Sequence, residues 1–156
     1  MKRVVVTGLG MVTSLGNDVA TNWQHLLQGT SGAGSITHFD ATKFKTQFAC
    51  EVKGFNAADH IDRKEIRKMD LYTQYALAAA QMAIKDSGMD LETVDKNEIG
   101  VVLGVGIGGI KTFETEMTDF AKGDGVPHFN PFFIPKMIVD LAPGHISMKY
   151  GFSGVN

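Results

Sequence analysis

The run Arg3-Val4-Val5-Val6-Thr7 is apolar on consecutive positions and breaks at Gly8-Leu9-Gly10. That pattern predicts a strand over 2–7 buried on both faces, the habit of a central strand in a parallel sheet. Residues 98–104 repeat it and run into Gly104, Gly106, Gly108 and Gly109. Between them, Asn17 or Asp18 can cap a helix over 19–28, stopped by Gly29. Phe48, Cys50 and Val52 alternate with Ala49, Glu51 and Lys53, the period of a half-buried strand whose sheet the pattern leaves open. The clearest helix covers 68–87, where Met69, Tyr72, Ala76, Ala79 and Ala83 form one stripe. Its small residues let another backbone approach closely, and Gly88 supplies the left-handed stop. A helix over 110–121 and a Gly/Pro-punctuated loop over 122–130 follow. Pro131 can open a helical first turn, and two short helices fit 134–141 and 143–150, with Pro143 at the start of the second. The tail, 151–156, reads as a turn. With no repeat and no linker, this order predicts one α/β unit over 1–156, a mostly parallel sheet with helices on both faces.

Composition narrows the function classes. Among 156 residues, 44% are hydrophobic and 21% charged, which excludes a disordered or collagen-like chain. No apolar stretch approaches the roughly 18–20 residues of a membrane span. The basic-to-apolar start breaks at Gly8, too soon for a signal peptide. A net charge of −2 gives no electrostatic case for nucleic acid as a partner. A single cysteine cannot form an internal disulfide, which fits a cytoplasmic chain.

Candidate chemistry is sparse. Gly8-Leu9-Gly10 resembles the start of a dinucleotide fingerprint, but Thr13 stands where the third glycine belongs. Gly104–Thr112 approaches a phosphate loop, but Ile110 separates Gly109 from Lys111 and turns the lysine by about 100° on a helix. The glycines read better as sites of close backbone packing and positive φ. Cys50, in an alternating strand, reads as a packed core thiol rather than a nucleophile. His25, His38, His60, His128 and His145 show no metal-ligand spacing, and no complete catalytic constellation emerges. One charged cluster stands out: Lys64, Arg67 and Lys68 fall at i, i+3 and i+4 where the long helix begins. It is either a solvated face or a docking patch for an acidic partner.

Several ordered motifs resemble one family. Val4-Val5-Val6-Thr7-Gly8-Leu9-Gly10-Met11-Val12-Thr13, Arg63-Lys64-Glu65-Ile66-Arg67-Lys68-Met69-Asp70 and Gly104-Val105-Gly106-Ile107-Gly108-Gly109 are similar to the β-ketoacyl-acyl-carrier-protein synthases. Pro131-Phe132-Phe133-Ile134-Pro135 and Ala142-Pro143-Gly144-His145-Ile146-Ser147 extend the match, which is best with the elongating bacterial type (synthase II). The resemblance implies the N-terminal half of a thiolase-like fold layered αβαβα, truncated before the nucleophile. It implies fatty-acid chain elongation, an acyltransferase reaction that condenses an acyl group with malonyl-carrier protein and releases carbon dioxide.

The family's cysteine and two histidines have no counterpart in this chain, so the resemblance assigns it no catalytic residue, metal or cofactor. An isolated chain is expected to be inactive. By the same resemblance Ile107, Phe132 and Phe133 line the acyl pocket, and Lys64, Arg67 and Lys68 meet the acidic acyl-carrier protein. Relatives place a second basic pair before the Pro-Phe-Phe motif, where this chain has Pro127 and His128, which makes docking sensitive to pH if His128 titrates near neutrality. A chain of this kind leaves apolar sheet faces uncovered and should associate with a missing C-terminal half or another copy, relatives being homodimers. A non-catalytic module binding carrier protein or a partner half is the alternative expectation.

Overall fold

The computed structural model describes residues 3–156. Lys2, where the first strand was expected to begin, lies outside them. The first helix, α1 (Val19–Leu27), starts at Asp18, which the sequence offered alongside Asn17. The Asp18 carboxylate accepts from the Thr21 amide at 2.7 Å and from its hydroxyl at 2.7 Å. These bonds, the backbone one foremost, lower the Asp18 pKa. Beneath the cap, buried Asn22 donates to the carbonyls of Gly16 and Asp18 and accepts from the Thr13 hydroxyl.

Two short strands, β1 (Gly34–Ser35) and β2 (Phe48–Ala49), pair antiparallel with Gly34 opposite Ala49. The alternation over 48–53 therefore yields only two residues of strand. Over 48–51 its phase is also reversed: Phe48 and Cys50 are exposed, while Ala49 and Glu51 are partly covered; Val52 and Lys53 keep the expected sense. Glu51 turns inward because it accepts from the Thr37 amide and hydroxyl, at 2.9 and 2.7 Å.

A 3-10 turn at Ala57–Asp59 leads to α2 (Arg63–Ile66) and then to the long α3 (Leu71–Ser87). The expected helix over 68–87 thus starts three residues later. Its buried face is Thr73, Gln74, Leu77 and Ala78, and α6 (Leu141–Tyr150) packs on it through Ala142 and Ile146. Leu77 is 1% exposed and joins Ile61, Met69 and Ile146 in the core.

The stripe of small residues has a second use. A Cβ on Gly8 would strike the Ala83 carbonyl, and one on Gly10 the Ala79 carbonyl. Two residues of extended chain advance about 6.6 Å and four helical residues about 6 Å, so the glycines step in register with the helix. Leu9 between them donates its amide to Asp86 at 2.8 Å. The expectation of close backbone packing holds here, while positive φ falls on other glycines: 29, 54, 88, 125 and 151.

The helix α4 (Ile110–Lys122) leads through a loop to α5 (Phe133–Met137). Pro131 sits in the turn before α5, whose first bond runs from the Phe133 amide to the Asn130 carbonyl. Helix α6 opens two residues before Pro143, which tolerates the first turn because its missing N–H has no partner there. Left-handed glycines stand at the ends of α1, α3 and α6 (φ 67°, 65° and 74° at Gly29, Gly88 and Gly151). The α4 helix ends differently, at Gly123 with φ −78° and ψ −164°.

The two apolar runs read as buried parallel strands lie outside any named strand. Val4, Val5 and Val6 are 97%, 65% and 79% exposed, and Val102 is 90% exposed. Their side chains have the character of a sheet interior, but a strand's backbone is satisfied only by a lateral neighbour. Among the described residues the tail alone begins to supply one: Val101 donates to Val155 at 2.8 Å and Gly154 to Ile99 at 3.0 Å. No helix among the described residues is long and apolar enough to cross a membrane.

Candidate functional site

The basic cluster sits on a turn rather than along one helix face. Asp62 caps α2 through the Lys64 amide at 2.7 Å. The helix closes at Ile66, and α3 begins only at Leu71. Lys64 and Arg67 project into solvent without an ion pair among the described residues. Lys68 lies 2.6 Å from Glu65, so much of its field is neutralised. The turn is held from three sides. Gln74 donates to the Met69 carbonyl at 3.1 Å, and Lys149 on α6 donates to the His60 carbonyl at 2.9 Å. Phe55 stacks on His60 and meets Tyr75 edge-on, with centroids 5.9 and 4.9 Å apart. This support fixes the two free cations without using their charge.

The second region forms where the glycine-rich segment meets α5. A Cβ on Gly108 would enter the Met137 carbonyl, and one on Gly109 that of Lys136. Bare glycines are therefore what lets this loop lie against the helix. The Thr112 hydroxyl donates to Asp70 and ties the start of α4 to the start of α3. A hollow of about 250 Å³ results, lined by Ile107, Ile110, Phe113 and Met137 with Gly108 and Gly109. Ile107 is 72% exposed at its rim. Phe133 stacks on Phe113 and Phe129, at 6.3 and 5.5 Å, and Phe120 meets Phe129 at a tilt of 41°, 5.5 Å away. Phe132 precedes α5 and stands outside this aromatic ladder. Phe113, Phe120, Phe129 and Met137 escaped the sequence reading. Phe113 and Phe120, seven apart on one helix, were the available signal.

Against this geometry stand the comparisons with known proteins. The profile described as "Beta-ketoacyl synthase, N-terminal domain" matches residues 1–156. The chain belongs to the β-ketoacyl synthase family. It is 43% identical over 155 residues to the 3-oxoacyl-[acyl-carrier-protein] synthase 2 of Staphylococcus aureus strain COL, covering 99% of this chain and 37% of that protein. The enzyme of the same name from Vibrio cholerae serotype O1 gives the same identity and coverage. The chain thus spans under two-fifths of the curated relatives it matches.

Solved structures agree on a thiolase-like ketosynthase fold. The ishigamide ketosynthase/chain length factor superposes with a TM-score of 0.89 at 27% identity, over 99% of this chain and 38% of that one. A type II PKS acyl-carrier protein in complex with its ketosynthase gives 0.76 at 27% identity, over 98% and 40%.

Cys50, expected in the core, is exposed: it follows the two-residue β2, and the inward position beside it is taken by Glu51. His38 approaches Glu51 at 3.9 Å, and His25 faces the Leu15 carbonyl. His128 lines a cavity of about 460 Å³ with Glu116, Asp119 and Asp124, so its surroundings are acidic. Burial lowers the His145 pKa, opposed by Glu65 and aided by Lys68. Among the described residues no three His, Cys, Asp or Glu side chains converge as a metal site.

Proposed function

We propose that this chain forms the carrier-docking and acyl-lining portion of a fatty-acid condensing enzyme, a β-ketoacyl-acyl-carrier-protein synthase of the elongating type. The observation that carries the reading is the 43% identity to 3-oxoacyl-[acyl-carrier-protein] synthase 2 across 155 residues. In the complete enzyme, an acyl group passes from the carrier's thiol to an enzyme cysteine, one thioester replacing another. Malonyl-carrier protein then loses carbon dioxide, and the enolate carbon so formed attacks the acyl carbonyl. A carbon–carbon bond forms as the cysteine thiolate leaves. Residues 1–156 supply neither that cysteine nor its histidines, and by themselves they carry no condensing activity.

Their contribution is reception. Lys64 and Arg67, exposed on a braced turn, with Lys68 beside them, present cations to an acidic carrier protein and speed its encounter. The acidic setting of His128 concentrates that attraction on the α2 turn. Ile107 borders the apolar hollow where an acyl chain would lie; Phe133 backs it through Phe113, on which it stacks, and Phe132 is not among its lining residues. The setting is the cytoplasm. Arg67→Glu should weaken binding of acyl-carrier protein several-fold in titration calorimetry, with the difference shrinking at high salt. Unchanged affinity would remove the docking role.

The exposure of Val4–Val6 and Val102 supports a second reading, a module that pairs with a partner half or another copy. Carrier binding without turnover, together with a concentration-dependent mass, favours this reading for the chain alone.

A further inference from the structure

A groove of about 540 Å³ opens between the α2 turn and α6, away from the Ile107 hollow. Its apolar wall is Ile61, Met69, Leu77 and Met148, and its polar groups are gathered at the rim. Ligand sites for small molecules have this size and make-up, a mostly apolar cavity with a few convergent polar groups. The rim decides which kind of molecule fits. Both rim carboxylates are already engaged: Glu65 by Lys68 at 2.6 Å, and Asp62 by the Lys64 amide at 2.7 Å. Lys149 has no carboxylate partner among the described residues, only the His60 carbonyl and the face of the Tyr150 ring, 5.5 Å from its centroid. Its side chain is solvent-accessible, yet desolvation along the groove wall holds its ammonium below the ordinary lysine range. The His145 imidazole on the same helix is also drawn down by burial and is available as a neutral hydrogen-bonding group.

We propose that this groove binds an anionic amphiphile, a linear alkyl chain bearing one carboxylate. The chain lies on Ile61, Met69, Leu77 and Met148, and the head group pairs with Lys149. A charged hydrogen bond to a carboxylate would supply the unmet partner of that ammonium, and the alkyl chain would cover the apolar wall. The site is separate from the Ile107 hollow and shares only Lys68, already paired with Glu65, with the carrier-docking cations; Lys149 and Met148 belong to neither.

The test uses decanoate, below its micellar concentration, with decanol and decyltrimethylammonium as head-group controls. Calorimetry should show saturable one-to-one binding of decanoate, weaker binding of decanol and none of the cation. Lys149→Gln should weaken decanoate by about tenfold or more, the weight of one charged hydrogen bond, while barely changing decanol. Met148→Glu, at an exposed position that leaves the core intact, should abolish both. Methyl NMR should place the perturbation at Met148 and Met69. Equal affinity for decanoate and decanol, no effect of either variant, or shifts confined to Ile107 and Met137 would overturn the proposal.

Discussion

The α3–α6 pair and the two valine-rich runs meet opposite fates, although the runs are the more apolar in sequence. Leu77, Ala78 and Ala142 are almost fully buried, while Val4 and Val102 are almost fully exposed. A helix satisfies its backbone internally and needs only one packing face. A strand must find neighbours along both edges before its side chains can be covered. Apolar periodicity therefore reports what a segment requires, and only the helix carries most of the means to meet that requirement within itself.

The comparison can be attacked first where burial is greatest. Leu77→Ala should cost about 3 kcal/mol, transfer and cavity costs together, read from urea unfolding. A loss under about 1 kcal/mol would mean that the helical pair is not the centre of stability. Gly10→Val comes next. Its side chain would meet the Ala79 carbonyl, and overpacking of this kind costs about 1–3 kcal/mol. If thermal melting is unmoved, the 8–10 segment does not lie against α3 in solution.

A smaller effect concerns acid. The folded pKa of His145 lies below its ordinary 6.5 because burial disfavours the imidazolium. The unfolded chain therefore takes up the proton first. Stability present above about pH 6.5 is lost as pH falls towards the folded value. His145→Gln should flatten this segment of the stability–pH curve, and an unaltered curve would assign the acid sensitivity elsewhere. Smallest of all should be Val102→Thr, within about 0.5 kcal/mol, as for other exposed positions. A larger loss, growing with protein concentration, would show the run covered by a second copy.

Helix boundaries were the most legible part of the fold because their causes are local. Asp18 supplies a carboxylate to its own first turn, and Gly29 and Gly88 provide the left-handed residues that end α1 and α3. The start of α3 was misplaced because the cations at 67–68 look helical. Asp70, however, is held by Thr112, 42 residues away, a tie that no local pattern shows. Cys50 was misread because the side chain turned inward just after β2 is that of Glu51, held by hydrogen bonds from Thr37, rather than its own. For the candidate site, the family motifs gave the residue types around the glycine-rich segment. Pairing of Lys68 with Glu65, and the separation of Phe132 from the aromatic ladder, depended on geometry that the motifs do not encode.

The unlike ends of the helices bear on how such a chain can change length over evolution. Gly29, Gly88 and Gly151 stop their helices by stereochemistry, so an inserted or deleted residue there must also preserve a left-handed position. Gly123 imposes no such stop on α4, and the cavity beneath its last turn is bounded by the loop that follows. Length variation is therefore cheapest at that point. A change of one or two residues there would resize the cavity around His128 while leaving the three enforced stops, and the layer they frame, in place.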